Sequence, residues 1–306
     1  MEIIHQYQNG NTQVTLYEDG TKIREWPDGE ESVVDLPEST DFKITNWCDM
    51  APICKYCHEQ SNKEGKHADL DFFADLWDTS LVGSEIALGG GSTLHHPDIK
   101  KFLKRVTTHG CIPNITINSL HIKKQAEQLR QYQDEKLVYG VGVSYRGIPS
   151  LLQLPKNINY KNVVFHLILG LHDYDDCKAI ADWCRENNIA PKILLLGYKQ
   201  YGNGSSYFDN NPWLAGKLTE WKTTILKKVL KLGGTFSFDN LAISQLALQE
   251  SMPKKQWDLF YQGTDGTHTQ YIDGVEKKAA RTSTTPTKFD IVKGDNLKEI
   301  FKKVRA

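Results

Sequence analysis

Several features common in other protein classes are scarce in this 306-residue sequence. No apolar run approaches the roughly 20 residues that a helix needs to cross a bilayer. The first residues carry neither the basic nor the apolar region of a signal peptide. Lys and Arg number 37 and Asp and Glu 38, so net charge gives no basis for binding nucleic acid or a membrane. These absences predict a soluble, cytoplasmic protein.

Cysteines are also few, with six in the whole chain, and they are unevenly spread. Cys48, Cys54 and Cys57 lie in one short segment, whereas Cys111, Cys177 and Cys184 are scattered. This distribution argues against a disulfide framework and favours a local metal or cluster site. Apolar residues make up 39% of the chain and charged residues 25%, which is enough to bury a sizeable core.

The chain divides into three segments by pattern. Residues 1–40 predict a small β appendage, because alternating stretches flank a Glu-Asp-Gly turn. Residues 41–232 alternate short apolar runs with amphipathic stretches, and residues 233–306 break that pattern and predict an α+β extension that caps the core. Strands are predicted at Phe42–Asn46, Glu85–Leu88, Asn114–Asn118, Leu137–Ser144, Val163–Leu169 and Lys192–Leu196.

The fold class predicted for the central segment is α/β. The runs VVFHLIL and KILLL are almost continuously apolar, as in parallel strands that are covered on both faces. Six strand–helix units favour a partial (β/α)6 TIM-like barrel over a complete eightfold one. In such folds the functional residues gather where each strand ends and its loop begins.

The three clustered cysteines follow the first strand of this segment, in ITNWCDMAPICKYCHEQS. Thiolates are strong ligands for iron–sulfur clusters and for zinc. From spacing alone, two hypotheses stay open beside unliganded thiols. One is a [4Fe–4S] cluster with one iron left free, and the other is zinc with His58 or His67 as the fourth ligand.

At these residues the chain resembles the radical S-adenosylmethionine (SAM) superfamily, whose signature is CxxxCxxC with an aromatic before the last cysteine. Tyr56 occupies that aromatic position, although five residues separate Cys48 from Cys54 here. The resemblance implies that Cys48, Cys54 and Cys57 ligate three irons of a [4Fe–4S] cluster and that SAM chelates the fourth. The CHE run, the GGG loop and an FDN segment are similar to those of uncharacterised phage and bacterial members.

A glycine loop, ALGGGSTLHHPD, follows the second strand of the segment. Glycines let the backbone approach a ligand closely because no Cβ intervenes. The loop resembles the superfamily's GGE motif, which receives the amino group of methionine. Gly89, Gly90 and Gly91 are therefore expected to offer carbonyls, and Gly91 or Ser92 replaces the motif's glutamate.

Later strand ends supply the other expected SAM contacts. The resemblance implies that polar residues at strand ends lie near the ribose or carboxylate of SAM. It also implies that the backbone at the ends of the fifth and sixth strands lies close to the adenine. The histidines of the fifth unit, His166 and His172, are interpreted as structural. The expected contacts are Asn118, Ser144, Arg146, Gly170, Leu196 and Tyr198.

The C-terminal segment lacks the cysteines of the SPASM domains that bind auxiliary clusters in many superfamily members, because no cysteine follows Cys184. Its aromatic and strand-forming residues predict a β element and a helix that cover one side of the barrel. The sequence suggests substrate contacts there at Asp239, Asn240, Asp265 and His268.

The resemblance implies an enzyme that cleaves SAM reductively with electrons from a flavodoxin- or ferredoxin-type donor and acts on an unidentified substrate. A peptide or protein is slightly favoured as substrate. Nucleoside or RNA modification and glycyl-radical activation stay open as alternatives. The rival hypothesis from another class is a zinc-stabilised binding protein.

Overall fold

A computed structural model describes residues 2–51, 54–261 and 263–306. Short apolar runs form strands, and each ends at a polar or glycine-rich turn. The strands are β1 (Ile3–Asn9), β2 (Thr12–Tyr17), β3 (Lys22–Glu25), β4 (Ser39–Thr45), β5 (Glu85–Gly90), β6 (Ile112–Asn118), β7 (Gly140–Ser144), β8 (Val163–Ile168), β9 (Lys192–Leu196), β10 (Thr235–Phe238), β11 (Thr269–Asp273), β12 (Lys278–Ala280) and β13 (Phe289–Asp290).

The longer helices are amphipathic and bury an apolar face, as α2, α3, α5 and α12 do. None in the described part of the chain is long and apolar enough to cross a membrane. A 3₁₀ turn covers Thr93–His95, and a π-helical turn, Trp221–Ile225, joins α7 to α8. The α-helices are α1 (Ala74–Trp77), α2 (Ile99–His109), α3 (Ile122–Asp134), α4 (Ile148–Leu151), α5 (Tyr174–Glu186), α6 (Asn203–Asp209), α7 (Trp213–Glu220), α8 (Leu226–Val229), α9 (Asn240–Leu246), α10 (Leu248–Ser251), α11 (Lys254–Phe260) and α12 (Leu297–Arg305).

The main sheet has ten strands in the order β10-β9-β8-β7-β6-β5-β4-β11-β12-β13. Strands β4 to β11 are parallel to one another, and β12 and β13 follow antiparallel. The prediction of an α/β fold with a large parallel sheet is therefore confirmed. The partial (β/α)6 barrel itself is not confirmed: β11 occupies the outer edge of β4, so β10 and β4 do not pair, and the sheet is open.

The parallel sheet also has more strands than the six predicted. Strand β10 pairs in parallel with β9 and is followed by α9, so another strand–helix unit begins where the sequence suggested none. Strand β11 adds an eighth parallel strand next to β4, with Tyr271 paired to Asp41. The sequence indicated strand-forming residues in both stretches, but not that either strand would join the parallel sheet.

The two faces of the sheet have different surroundings. Along β8, Val163, Phe165 and Leu167 are buried, whereas Val164, His166 and Ile168 are only half-buried. The buried set packs against the helices in the apolar core, and the other set faces a cavity. The apolar run of β8 therefore has one face packed against helices and one face that lines the cavity. The sequence had predicted a strand that is covered on both faces.

The N-terminal strands form their own antiparallel sheet, β1-β2-β3, beneath the amino ends of the parallel strands. Its β2–β3 turn, residues 18–21, reaches the cavity: the Tyr139 hydroxyl donates to the carbonyl of Glu18 at 2.6 Å, and Lys192 Nζ donates to that of Asp19 at 3.0 Å. Buried Glu38 attaches the sheet through Arg24, whose Nε lies 2.9 Å from its carboxylate. The turn therefore forms the floor of the cavity.

Candidate functional site

One cavity of about 1340 Å³ runs along the concave face of the sheet. Every parallel strand, β4 to β11, contributes lining residues, so the sheet curls around this space even though its edges do not join. The cavity begins at Cys48, Cys54 and Cys57 and ends at the turn of residues 18–21. Its size exceeds the few hundred Å³ that one small ligand needs, so it has room for two molecules.

The cysteine loop leaves the carboxyl end of β4 and covers the mouth of the cavity. Its three thiols are half-buried and free of disulfides. The N-terminus of α6 supports the loop, because the amide of Asn203 donates to the carbonyl of Cys57 at 3.2 Å. Gly202, with φ +56°, allows this approach, since a Cβ there would lie 2.4 Å from the carbonyl oxygen of His58.

Polar groups surround the Cys54 sulfur. Arg146 Nη2 lies 3.0 Å from it and Asn118 Nδ2 3.9 Å, and the Arg146 guanidinium stacks 5.0 Å from the Tyr56 ring. Burial raises the pKa of the Cys54 thiol, Arg146 opposes this, and Cys57 and Cys48 raise the pKa further by repulsion. Three thiols that repel one another as thiolates need a cationic group between them.

No three His, Cys, Asp or Glu side chains, among the residues described, are placed to hold one metal ion together. His67, one of the two histidines considered as a fourth zinc ligand, packs against the rings of His96 and Trp47. A cluster distributes its ligands over several irons, so it does not require three donors at one point. A thiol donor set suits an iron–sulfur cluster as well as zinc.

The glycine loop lies directly beneath the cysteine loop. The amide of Gly91 donates to the carbonyl of Thr45, and the amide of Ser92 to that of Trp47, both at 2.8 Å. A Cβ on Gly91 would lie 2.0 Å from the Trp47 oxygen. Glycine is required there because the two loops are in backbone contact.

Gly91→Ala should therefore displace the cysteine loop and lower both the thermal unfolding midpoint and the iron retained after reconstitution. The physical reason is a steric clash with backbone, which a rotamer change cannot relieve. Gly89→Ala is the matched control, since nothing lies within 4 Å of its new Cβ, and it should unfold at the wild-type temperature. Equal unfolding temperatures for the two variants would contradict the assigned contact.

The sequence-predicted SAM contacts fall into two groups. Those that line the cavity with the cysteines are Tyr56, Gly89, Gly90, Gly91, Asn118, Ser144, Arg146 and Leu196. Three others lie off its wall. Ser92 is buried and its hydroxyl donates to Asp49 at 2.5 Å, Tyr198 is buried and bonded to the carbonyl of Gly204, and Gly170 (φ +83°) faces Leu214 and Leu218.

Asp49 links the cysteine loop to the glycine loop and to α3. Its carboxylate accepts the Ser92 bond and lies 3.1 Å from His121 Nε2. The Ser92 hydroxyl is also 3.7 Å from the Cys48 sulfur. Ser92 therefore contacts Cys48 directly and also holds its neighbour Asp49.

The C-terminal segment contributes cavity residues that the sequence did not single out. Tyr271 and Ser283 both line the cavity. Lys199 Nζ lies 3.1 Å from the Ser283 hydroxyl and 3.3 Å from His58 Nε2. Tyr271 lies 3.3 Å from Glu59, which pairs with Lys43 at 3.0 Å. The sequence offered one sign of these two cavity residues: Tyr271 lies on a strand, and Ser283 lies just after one.

The four substrate contacts that the sequence suggested in this segment do not all lie in the cavity. Asp239 lines the cavity, where it caps α9 and accepts a bond from the Gly197 amide at 2.9 Å. Asn240 donates to Asp265 at 2.6 Å. His268 is buried 3.3 Å from Glu38 and is not among the cavity-lining residues.

Comparison with known proteins gives a structural likeness only. No family model matches the chain, and no curated protein matches its sequence. SuiB from Streptococcus suis bound to its precursor peptide SuiA superposes with a TM-score of 0.59 at 15% identity, over 90% of this chain and 68% of SuiB. SuiB bound to S-adenosylmethionine superposes with a TM-score of 0.57 at 15% identity, over 90% and 69%. The chain therefore shares the SuiB fold.

Proposed function

We propose that the protein is a radical SAM enzyme in which Cys48, Cys54 and Cys57 hold a [4Fe–4S] cluster. The observation that carries the proposal is the convergence of three thiols, the glycine loop and polar strand ends on one mouth of the cavity. The fold shared with SuiB, which has been solved with SAM bound, supports it. When bound, cluster and SAM supply reductive cleavage of a sulfonium C–S bond, which yields methionine and a 5′-deoxyadenosyl radical.

The chain's own residues would bind and orient SAM and the substrate, and they would exclude water from the cavity. The backbone of Gly89–Gly91 borders the cavity without side chains, so a ligand can reach its carbonyls. Asn118 and Ser144 offer hydrogen bonds at neighbouring strand ends, and Arg146 supplies a cation beside Cys54. The turn at residues 18–21 closes the far end of the cavity, which keeps solvent from a reactive group.

We propose a peptide or protein substrate. SuiB, whose fold this chain shares, binds a precursor peptide, and the cavity has room for a side chain beside SAM. An external one-electron donor is part of the proposal, because the chemistry needs an electron that the chain does not carry.

The test is anaerobic reconstitution followed by incubation with SAM and dithionite. The reconstituted protein should be brown and should form 5′-deoxyadenosine only when cluster, SAM and reductant are all present. Methylthioadenosine or S-adenosylhomocysteine as the sole product would contradict the proposal. Colourless protein with one zinc per chain and no iron would favour the zinc-stabilised binding protein instead.

Arg146→Met should make the cluster harder to reduce and slow 5′-deoxyadenosine formation about tenfold. A cation 3.0 Å from a ligand sulfur stabilises the more negative, reduced state, and a charge-assisted bond of about 1.5–3 kcal/mol corresponds to at least that factor. Potentiometric EPR should give a more negative midpoint. Arg105→Met, which removes an exposed arginine on α2, is the control, and an unchanged midpoint in the Arg146 variant would contradict the assigned role.

A further inference from the structure

Strand β10 is one open edge of the parallel sheet. Within the described part of the chain it pairs with β9 and with no other strand. The pairing uses alternate residues, because the amides of Thr235 and Asp239 donate to carbonyls on the β9 side at 2.9 and 3.2 Å. The residues between them, Phe236 and Phe238, therefore direct their N–H and C=O groups away from β9, to the outer edge.

These outward backbone groups have no protein partner. Among residues 2–51, 54–261 and 263–306, nothing forms a hydrogen bond to the N–H or C=O of Phe236 or Phe238 at this edge. Water can satisfy the groups in the free protein, so they are not strained. They are instead available to a partner that can exchange its own hydrogen bonds with water for bonds to the strand.

Strand β10 also lacks the features that usually block an exposed edge, which are charged side chains, prolines and bulges. Its sequence is TFSF, and its register with β9 is regular. Gly233 and Gly234 precede it and add no side chain that could cover the edge. The opposite edge of the sheet, β13, is only two residues long and carries Asp290, which is ion-paired with Lys278.

The cavity opens to solvent along this same strand. Thr235 and Ser237 line the cavity and are exposed, whereas Val164 and His166 on the inner strand β8 are half-buried. The Phe238 ring points to the other face, where it packs 6.0 Å from the Phe260 ring. The free backbone groups therefore lie at a side entrance to the cavity.

The arrangement of the free groups indicates what can bind there. They are donors and acceptors that repeat every two residues along one line, and an extended polypeptide backbone presents the complementary row. Alternate side chains of an added strand face opposite sides of the sheet. Every second side chain would therefore face the same side as Ser237, into the cavity.

We infer that the substrate is a polypeptide that binds in extended form as an added strand on the outer edge of β10, and that one of its side chains enters the cavity from this edge. This inference rests on the proposed function and deepens it. Backbone bonds to Phe236 and Phe238 would align the substrate, and the side chain in the cavity would be the one that gives up its hydrogen atom.

The experiment follows deuterium from substrate to product. Holoenzyme is incubated anaerobically with SAM, dithionite and an extract of the organism that encodes the chain, grown in deuterated medium. The extract is first divided into a polypeptide fraction and a metabolite fraction. Abstraction breaks one C–D bond, leaves a carbon radical on the substrate and forms one C–D bond at the 5′ carbon, so 5′-deoxyadenosine gains one mass unit. Wild-type enzyme should acquire deuterium from the polypeptide fraction, and digestion of that fraction to amino acids should abolish the transfer.

Phe236→Pro should lower the deuterated fraction of 5′-deoxyadenosine about tenfold. Proline removes the outward N–H and places its ring on the edge, and the β9 ladder does not use this amide. Phe236→Leu, which keeps the amide, is the matched control and should stay within about twofold of wild type. Phe238→Pro should repeat the loss and serves if Phe236→Pro does not fold. Because the readout is a ratio of labelled to total product, it does not depend on how much cluster each variant retains.

Several results would overturn the inference while leaving the proposed function standing. One is wild-type enzyme that forms 5′-deoxyadenosine but takes deuterium from the metabolite fraction alone or from neither fraction. Another is a wild-type deuterated fraction in the proline variants, or an equal loss in Phe236→Leu and Phe236→Pro. A wild-type dimer in light scattering that both proline variants convert to monomers would assign the edge to a second copy of the chain. Wild-type enzyme that forms no 5′-deoxyadenosine would instead remove the proposed function.

Discussion

Cys54→Ala should give a folded protein that retains no iron and forms no 5′-deoxyadenosine. Cys54 is the thiol with the most polar support, from Arg146 and Asn118, and it is coupled electrostatically to both other cysteines of the loop. Removing one of three ligands leaves an iron open to solvent and to loss. We therefore expect complete loss of bound iron and of 5′-deoxyadenosine formation. Iron analysis and the absorbance spectrum after anaerobic reconstitution measure the loss of the cluster.

The three remaining cysteines are the controls. Cys111 is buried beside Ser80, 3.0 Å from its hydroxyl, and Cys177 and Cys184 are buried on α5. None of them lines the cavity. Their alanine variants should keep wild-type iron, with at most a small loss of stability from the lost packing. Loss of iron in Cys111→Ala would show that the ligand set is wrongly assigned.

Acidification should destabilise the protein through Glu38. Burial opposes ionisation of this carboxyl, but His268, Arg24 and Lys22 outweigh it and lower its pKa from 4.5 to about 2. A depressed pKa contributes stability that is present above pH 4.5 and is lost as the pH falls towards 2. A difference of this size corresponds to about 3 kcal/mol.

Urea unfolding of wild type and Glu38→Gln across this pH range measures the effect. The variant should be less stable at neutral pH, by about 3 kcal/mol, because a neutral amide cannot form the buried ion pair with Arg24. Its stability should also change less between pH 4.5 and 2. Glu127→Gln, which affects an exposed pair with Arg130, is the control. Parallel pH profiles for wild type and Glu38→Gln would contradict the assignment.

The central strands could be predicted from the sequence because their helix-facing side chains are large and apolar. Val163, Phe165 and Leu167 specify β8 whatever faces the cavity. The open edge could not be predicted, since it depends on β11 pairing with β4. Nothing local in Thr269–Asp273 indicates which distant strand it joins.

The candidate site shows the same division between local and distant information. The cysteine spacing and the glycine loop are local patterns, so both were visible. The position of His166 on the cavity wall could not be predicted, because VVFHLIL does not say which face of the strand lines a cavity. Its space depends on Gly142 of another strand. Tyr271 and Ser283 reach the cavity only through the late β11 and β12 strands.

The position of β11 also constrains the order in which the chain folds. Lys43 on β4 and Asp273 on β11 form an ion pair at 3.0 Å across 230 residues of chain. Until the ribosome releases Thr269–Asp273, β4 has one unpaired edge, and such edges template aggregation. Contacts of this sequence separation also slow folding. Expression at low temperature or with chaperones should therefore raise the soluble yield, and C-terminal truncations should accumulate as aggregates.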